Sequence, residues 1–324
     1  MIDRLKDGLR GIDVALANAT LRRRREGPVL LAFLGHSLFE HAGERPAAQL
    51  NDDPLLTVDD LRRFIDYFLH HGYRFVRPQE IHAGLDPRGH YVLLSFDDGY
   101  ANNLRAVPVL TSFGVPATFC ISTNYVATGR AFWWDVLQRE RQRRGADAAS
   151  IRRETLGLKR RPYRQIEAYV RHAFGTAALA PEGDADRPLT PAELRTLAAE
   201  PLVTLANHTS DHAILSVCSD GDARAQIDAG RDYLAALTGT APDVLAYPNG
   251  AVDARVIRLA QAAGVRLGLA VEPRKNRLPL AAGAAMHIAR YFLSGGPRML
   301  ERCQQARSAI QLRNTLYRAF AATP

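Results

Sequence analysis

Two adjacent aspartates, Asp97 and Asp98, end an apolar run in the stretch YVLLSFDDGYAN, residues 91–102. Gly99 follows them, and Asp-Gly is ordinary turn chemistry, so a plain turn at a strand end is one interpretation. A catalytic site is the other, because one carboxylate can bind a cation while its neighbour accepts a proton. The doublet alone leaves both interpretations open.

Two histidines stand in a similar position after a second apolar run. The stretch NHTSDH follows LVTLA and separates His208 and His212 by four residues. On a helical turn that spacing places both imidazoles on one face, with about 5–6 Å between their Cβ atoms. Two imidazoles and one carboxylate suit a divalent ion, zinc above all, with cobalt, nickel or manganese as alternatives. Such an ion lowers the pKa of a water that a second carboxylate can deprotonate.

Eight apolar runs suit the strands that would carry these residues, and helical patterns lie between most of them. Strands that alternate with helices predict parallel βα units. A count of about seven to eight strands favours a closed or nearly closed α/β barrel, with both polar clusters at its C-terminal rim. The predicted strands are residues 29–34, 73–76, 91–96, 117–122, 202–205, 244–247, 266–271 and 286–292.

Two helix starts are marked by capping residues. Thr57 is the expected N-cap of a helix that ends before Gly72. The TPAE stretch places Thr190 at an N-cap, Pro191 at the first helical position and Glu193 at the third. Both signals predict helices between strands.

The composition is that of an ordinary globular protein, with 47% hydrophobic and 23% charged residues in a chain of 324. Its three cysteines form no CxxC pair, which argues against a disulfide framework or a cysteine zinc site. The N-terminal residues lack the apolar core of a signal peptide, and no run approaches the roughly 18 apolar residues of a membrane span. We therefore expect a cytoplasmic protein, and the sequence leaves its oligomeric state open.

Positive charge is concentrated in residues 137–175, which hold eleven Arg or Lys against four Asp or Glu in a chain of net charge +8. The surplus is typical of a solvated helical face, or of a surface that binds an anionic glycan, lipid or nucleic acid. No nucleic-acid-binding motif accompanies it, so we expect no nucleic-acid partner. Peripheral contact with the inner face of an anionic membrane is a further expectation.

Three stretches together, SFDDGY, HTSDH and AYPNG, resemble the motifs of the polysaccharide deacetylase family, carbohydrate esterase family four with its NodB-type domain. The third stretch resembles the subgroup with a Y-P-x-G motif. The resemblance covers roughly residues 28–295, and the first two motifs are specific only as a pair. It implies that the fold is a distorted (β/α) barrel. It also implies an enzyme that hydrolyses N-acetyl groups on amino sugars, and some relatives act on O-acetyl groups.

The resemblance also implies roles for the polar clusters. Asp97 resembles the general base of the family. Asp98, His208 and His212 resemble its metal triad. The substrate is then an acetylated amino sugar in a glycan, a glycolipid or a sugar precursor, with anionic and lipid-linked forms included.

The third motif departs from the family pattern. Ala246 stands where the family usually has an arginine that orients the catalytic aspartate, and Asn249 stands where a tyrosine is frequent. Arg290, near the C-terminal end of the last predicted strand, is the candidate partner of Asp97. An ordinary surface arginine is the alternative.

The general acid has two candidates. His287 is the nearest match to the histidine of the family's last motif, but it alternates with Arg290 along a strand, so only one of the two can face the barrel. His36 ends the first predicted strand, at the same rim as the aspartates. A capping role at the strand end is the other interpretation of His36.

Five more residues are candidates for substrate contact. An exposed tryptophan would stack on a sugar ring, whereas a buried one would belong to the core. Tyrosines beside the motifs can line the pocket, and the third motif can offer a backbone N–H to an oxyanion. The candidates are Tyr100, Trp133, Trp134, Tyr247 and Asn249.

We expect one domain with flanking segments. Residues 28–297 would form the catalytic barrel, interrupted by a helical insertion at about 127–189. Residues 1–27 would form a basic amphipathic segment, and residues 298–324 an amphipathic helix. The alternative to an active deacetylase is a catalytically silent member of the same fold that binds a glycan or an anionic lipid.

Overall fold

The computed structural model describes residues 26–44 and 54–308 of the chain. Within them, nine strands belong to one sheet. The strands are β1 Val29–Gly35, β2 Arg74–Phe75, β3 His90–Phe96, β4 Ala117–Ile121, β5 Val203–Asn207, β6 Val244–Ala246, β7 Leu267–Val271, β8 Asn276–Arg277 and β9 Ile288–Phe292.

Seven of these strands close a parallel barrel, which confirms the predicted architecture. The order is β1, β3, β4, β5, β6, β7 and β9, and β9 pairs with β1 to complete the ring. β3 pairs with β1 along its whole length, but β4 pairs only with Ser95 and Phe96 at its end. β2 pairs with the earlier part of β3, so the barrel is distorted there. β8 joins β1 in antiparallel orientation and was not predicted, because two residues give no apolar run.

Eleven α-helices accompany the strands in the described residues. Both predicted helix starts are confirmed: the side chains of Thr57 and Thr190 accept hydrogen bonds from the backbone N–H groups of Asp60 and Glu193. The helices are α1 Val58–His70, α2 Pro78–Ala83, α3 Ala106–Phe113, α4 Thr123–Thr128, α5 Trp133–Arg143, α6 Ala148–Leu158, α7 Tyr163–Phe174, α8 Pro191–Ala199, α9 Asp220–Thr238, α10 Ala254–Ala262 and α11 Met299–Arg307.

Side-chain alternation along the strands divides the core into two parts. Inward residues such as Leu30 and Leu93 fill the barrel, and outward residues such as Leu31 and Phe33 pack beneath helices that include α1. All four are almost completely buried. Burial of each such side chain contributes about 1.5–3 kcal/mol. The strand ends that carry the polar clusters are therefore held on both sides.

A helical insertion between β4 and β5 contains α4 to α7. Its apolar side chains form a separate cluster that includes Phe132, Val136 and Ile166 and extends to Tyr100 at the barrel rim. Much of its positive charge is balanced, because seven arginines pair with carboxylates. They are Arg130, Arg139, Arg141, Arg143, Arg164, Arg171 and Arg187.

The terminal predictions lie largely outside the described residues. Those predictions cover residues 1–27 and 298–324, whereas the description begins at residue 26 and ends at residue 308. Only the first part of the C-terminal segment is seen, as α11. Among the helices that the structure describes, none combines the length and the apolar character that crossing a membrane requires.

Candidate active site

Asp97 and Asp98 follow β3 and both reach the inner rim of the barrel. In an extended strand, Asp97 would point inward like Ser95, and Asp98 would point to the opposite face. Asp98 instead has a φ of 76°, so the chain turns at this residue. Both carboxylates are buried, with exposed fractions of 2% and 3%. One left-handed residue thus brings two adjacent carboxylates into the same site.

Backbone strain is concentrated around this site. Among the described residues, the non-glycine residues with positive φ are Asp98, Thr209, His212 and Asn249. All four lie in loops that follow β3, β5 or β6 at the C-terminal rim. Such conformations cost on the order of 1–3 kcal/mol each and persist only where the surrounding structure holds them. The packed barrel therefore stabilises a rim that would not adopt this shape alone.

His208 and His212 lie in the loop after β5, so the predicted helical geometry of this pair is wrong. The two imidazole rings nevertheless come together, with 4.8 Å between their centroids. The positive φ values of Thr209 and His212 curl the loop and produce this proximity. Sequence spacing gave the right pair for a different geometric reason.

Two polar side chains hold the histidine loop in its shape. Asn207 accepts the backbone N–H of Thr209 at 2.8 Å and donates its own amide to the Ile227 carbonyl at 2.8 Å. Gln226 of α9 accepts the backbone N–H of Asp211 at 2.8 Å, and its amide donates to the Asp211 carboxylate at 2.7 Å. Helix α9 thereby fixes the separation of the two imidazoles.

Three potential metal ligands converge at the rim. The Oδ1 atom of Asp98 lies 3.4 Å from Nε2 of His208 and 3.4 Å from Nε2 of His212. The Nδ1 atom of His208 lies 2.8 Å from the Ala246 carbonyl, so it carries the proton and leaves Nε2 free for a metal. The Oδ1 atom of Asp98 is buried without a hydrogen-bond partner, which is costly unless a cation satisfies it. The donor set therefore fits a divalent metal ion.

Burial and neighbouring charge set the protonation of the triad. Burial lowers the pKa of His212 to about 3, so this imidazole is neutral, as metal coordination requires. Burial would also lower the pKa of His208, but the carboxylates of Asp97 and Asp98 outweigh it and raise that pKa. Burial would raise the pKa of Asp98, and the imidazoles around it lower the pKa instead. The site thus holds the ionised carboxylate of Asp98 beside the neutral imidazole of His212 and the imidazole of His208, whose pKa is raised.

Asp97 is paired with a buried arginine. The two guanidinium Nη atoms of Arg290 donate to the two carboxylate oxygens of Asp97 at 2.7 Å each. Arg290 also donates to Ser95 Oγ at 3.0 Å and to the Ala270 carbonyl at 3.1 Å. Burial would raise the pKa of Asp97, but the guanidinium holds that pKa well below its usual range. The sequence candidate Arg290 therefore lies where the arginine absent at Ala246 would be needed.

The two acid candidates lie in different places. Nε2 of His36 is 4.0 Å from Oδ2 of Asp98, and the side chain is 39% exposed. His287 ends a short 3-10 helix before β9, and its Nε2 lies 3.4 Å from the carboxylate of Glu272. In the described part of the chain, no contact joins His287 to the aspartate doublet. The inward face of β9 is taken by Arg290, so His287 is directed away from the site.

The two tryptophans lie in different environments. The ring of Trp134 lies 4.6 Å from the ring of His212, and its Nε1 donates to the Tyr100 hydroxyl at 2.8 Å. Tyr100 in turn donates to the carboxylate of Asp135 at 2.7 Å. Trp133 is buried in the apolar cluster of the insertion. Trp134 therefore borders the potential ligand His212 and is held by the Tyr100 hydroxyl, whereas Trp133 belongs to the core.

The remaining two candidates after β6 differ in exposure. Tyr247 is fully buried and donates its hydroxyl to the Met286 carbonyl at 3.0 Å, so it packs in the core and lines no substrate surface. Asn249 is exposed at the rim, and its Oδ1 accepts a hydrogen bond from the ammonium of Lys159 at 2.8 Å. Asn249 thus connects the insertion to the barrel.

Three site residues were missed by sequence reasoning. Phe292 is 47% exposed, and its ring lies 5.3 Å from that of His36. Asp135 lies beneath Trp134, where burial raises its pKa to about 8. Lys159 reaches the rim from the insertion. Phe292 could have been found from its place at a strand end, but nothing local signals the other two.

Residues 84–268 match the sequence model of the polysaccharide deacetylase family. The match covers more than half of the chain and includes the aspartate doublet and both histidines. The chain therefore belongs to the polysaccharide deacetylase family, whose members are hydrolases acting on acetylated carbohydrates. A comparison with curated protein sequences gave no significant match. Membership of the subgroup with a Y-P-x-G motif stays a prediction.

Solved structures show the same fold. The deacetylase PplD of Streptococcus pyogenes, solved with acetate, has a TM-score of 0.60 at 15% identity, over 86% of this chain and 99% of that one. IcaB from Ammonifex degensii has a TM-score of 0.58 at 17% identity, over 88% and 99%. The BpsB deacetylase domain from Bordetella bronchiseptica has 0.54 at 18%, over 83% and 97%. At these identities the likeness shows the barrel fold alone.

We predict that Gly230→Ala weakens the affinity of the triad for a divalent metal ion about tenfold or more. An alanine Cβ at this position of α9 would lie 2.3 Å from Oδ1 of Asn207 and 3.1 Å from the Thr209 backbone carbon, so the histidine loop must shift. Gly221→Ala is the matched control, since its Cβ meets nothing within 4 Å on the same helix. Calorimetric zinc titration, with thermal melting to verify folding, measures the effect. Equal zinc affinities in both variants would contradict the bracing role of α9.

Proposed function

We propose that the protein is a metal-dependent deacetylase that hydrolyses N-acetyl groups on an amino-sugar glycan, glycolipid or sugar precursor, with O-acetyl groups as a secondary target. Zinc is the proposed metal, with cobalt, nickel and manganese as alternatives. The observation that carries the proposal is the convergence of Asp98, His208 and His212 beside the ion-paired Asp97. Membership of the deacetylase family supports it.

Asp97 is the proposed general base. Its carboxylate is buried, ionised and fixed by Arg290, so it can accept a proton from an attacking water without reorientation. A strongly lowered pKa makes it a weak base toward free water, and an ion held by Asp98, His208 and His212 would correct this mismatch by lowering the pKa of water. Asp97 is not in the converging group of potential ligands, which consists of Asp98, His208 and His212.

Substitutions of Asp97 and of Asp98 distinguish the proposed general base from the proposed metal ligand. Asp97→Asn is expected to keep one zinc per chain and to lower kcat for N-acetyl hydrolysis by about 10²- to 10⁴-fold, because only the proton acceptor is lost. Asp98→Ala is expected to lose the zinc itself. Metal analysis and acetate-release rates measure both. Full activity in Asp97→Asn would end the assignment.

Arg290 is the proposed positioning residue for Asp97. Arg290→Lys keeps a positive charge but cannot reproduce two parallel hydrogen bonds, so we expect kcat to fall about 10²-fold with KM and zinc content unchanged. Arg277→Lys, an exposed change on β8, is the matched control. Steady-state kinetics measures kcat and KM separately, and metal analysis measures the zinc content. An unchanged kcat in Arg290→Lys would show that charge alone suffices.

His36 is the proposed general acid, because it lies beside Asp98 with part of its ring open to solvent. The departing amine must be protonated, so His36→Gln is expected to lower N-acetyl hydrolysis by about 10²- to 10⁴-fold. Nitrophenolate leaves without a proton, so hydrolysis of 4-nitrophenyl acetate should change much less. His287→Gln is the control and should change neither rate. Equal losses on both substrates in His36→Gln would rule out the acid role.

A catalytically silent binding protein is the second candidate, and surplus positive charge in the insertion supports it. That support is weakened because many arginines of the insertion form ion pairs with carboxylates, which neutralise much of the surplus charge. Absence of stoichiometric metal in the purified chain, together with no acetate release from any acetylated amino sugar, would favour it. Cytoplasmic location and contact with an anionic membrane are proposed as well, and flotation with anionic vesicles at low and high salt tests the contact.

A further inference from the structure

A lysine from the insertion stands at the rim of the proposed site. Lys159 follows α6, and its ammonium donates to Oδ1 of Asn249, in the loop after β6, at 2.8 Å. Asn249 lies three residues beyond Ala246, whose carbonyl lies 2.8 Å from the Nδ1 atom of His208. The lysine therefore reaches the same rim as the metal ligands, from a different part of the chain.

The charge of Lys159 interacts electrostatically with the carboxylate of Asp98. Burial lowers the pKa of Lys159, and the carboxylate of Asp98 acts in the opposite direction. The ammonium therefore lies within electrostatic range of the Asp98 carboxylate.

Lys159 differs from the balanced arginines of the insertion. In residues 26–44 and 54–308, no carboxylate lies within ion-pair distance of Lys159, Arg160 or Arg161. An ammonium has three N–H donors, and Asn249 takes one of them. A half-buried cation without a carboxylate partner is costly, and an anion bound beside it would offset that cost. Arg160 and Arg161 are exposed and extend the positive charge along the same turn.

We propose that Lys159 binds an anionic group on the substrate, so that the enzyme prefers acetylated amino sugars that carry a phosphate or a carboxylate. This inference rests on the proposed deacetylase function. An ammonium suits either anion, since both offer several acceptor oxygens with negative charge. Lys159 is thus a specificity-determining residue.

The test compares charged and neutral substrates on the zinc-loaded full chain. Acetate release is measured for N-acetylglucosamine 1-phosphate, for N-acetylmuramic acid as the carboxylate, and for the neutral methyl glycoside of N-acetylglucosamine. In Lys159→Met, kcat/KM for the preferred anion, relative to the neutral sugar, is expected to fall on the order of tenfold. Lys159→Arg should restore most of that preference. Arg152→Gln removes an exposed charge from the same helix and should leave it unchanged.

A second variant separates anion binding from a purely structural tether. Asn249→Gly removes the hydrogen bond to Lys159 and suits the positive φ of that position. It should leave the preference for the anion largely intact. Equal losses for charged and neutral substrates in Lys159→Met, or the same loss of preference in Asn249→Gly, would overturn the proposal.

Failure of the proposed function would be recognised separately. If the zinc-loaded chain releases acetate from none of the three sugars, the deacetylase assignment fails. Calorimetric titration with glucosamine 1-phosphate then tests the anion site directly. Binding that weakens about tenfold in Lys159→Met supports the site, and equal or absent binding in both chains overturns it.

Discussion

The buried ion pair between Arg290 and Asp97 is the interaction on which the site depends. Removal of two charges from water costs several kcal/mol per ion, and only good geometry offsets this cost. Two parallel hydrogen bonds, together with those to Ser95 and Ala270, supply that geometry. Arg290 lies on β9 and Asp97 follows β3, with β1 between them, so the pair forms only when the barrel closes. The ion pair therefore requires β3, β1 and β9 to be in place together.

Two chemically identical neighbours acquire different environments. Asp97 has both oxygens satisfied by a guanidinium, whereas Asp98 keeps a buried oxygen without a hydrogen-bond partner beside two imidazoles. The difference arises from one turn of the backbone at Asp98, whose positive φ breaks the strand alternation. An aspartate tolerates that conformation better than most residues. The adjacent glycine, also at positive φ, completes the turn.

The barrel and the insertion contribute different parts of the site. The barrel carries the proposed base, its arginine and the triad on strand ends that packing holds rigid. The insertion adds Trp134 against His212 and the ammonium of Lys159 against Asn249. The proposed catalytic residues therefore lie on the shared family fold, and Trp134 and Lys159, the proposed substrate contacts, come from the segment between β4 and β5. Specificity can change there without disturbance of the buried pair.

The sequence by itself determined the barrel, the helix starts and the association of the two aspartates with His208 and His212. The spacing of apolar residues, the capping residues and the short motifs are all local properties of the chain. The tertiary structure decided the rest. The histidine loop is curled by positive φ values and braced by α9, which no spacing reveals. Tyr247 lies in the core, and Lys159 reaches the rim only because the insertion folds back on the barrel. Burial and contact depend on residues distant in the chain, so local patterns cannot specify them.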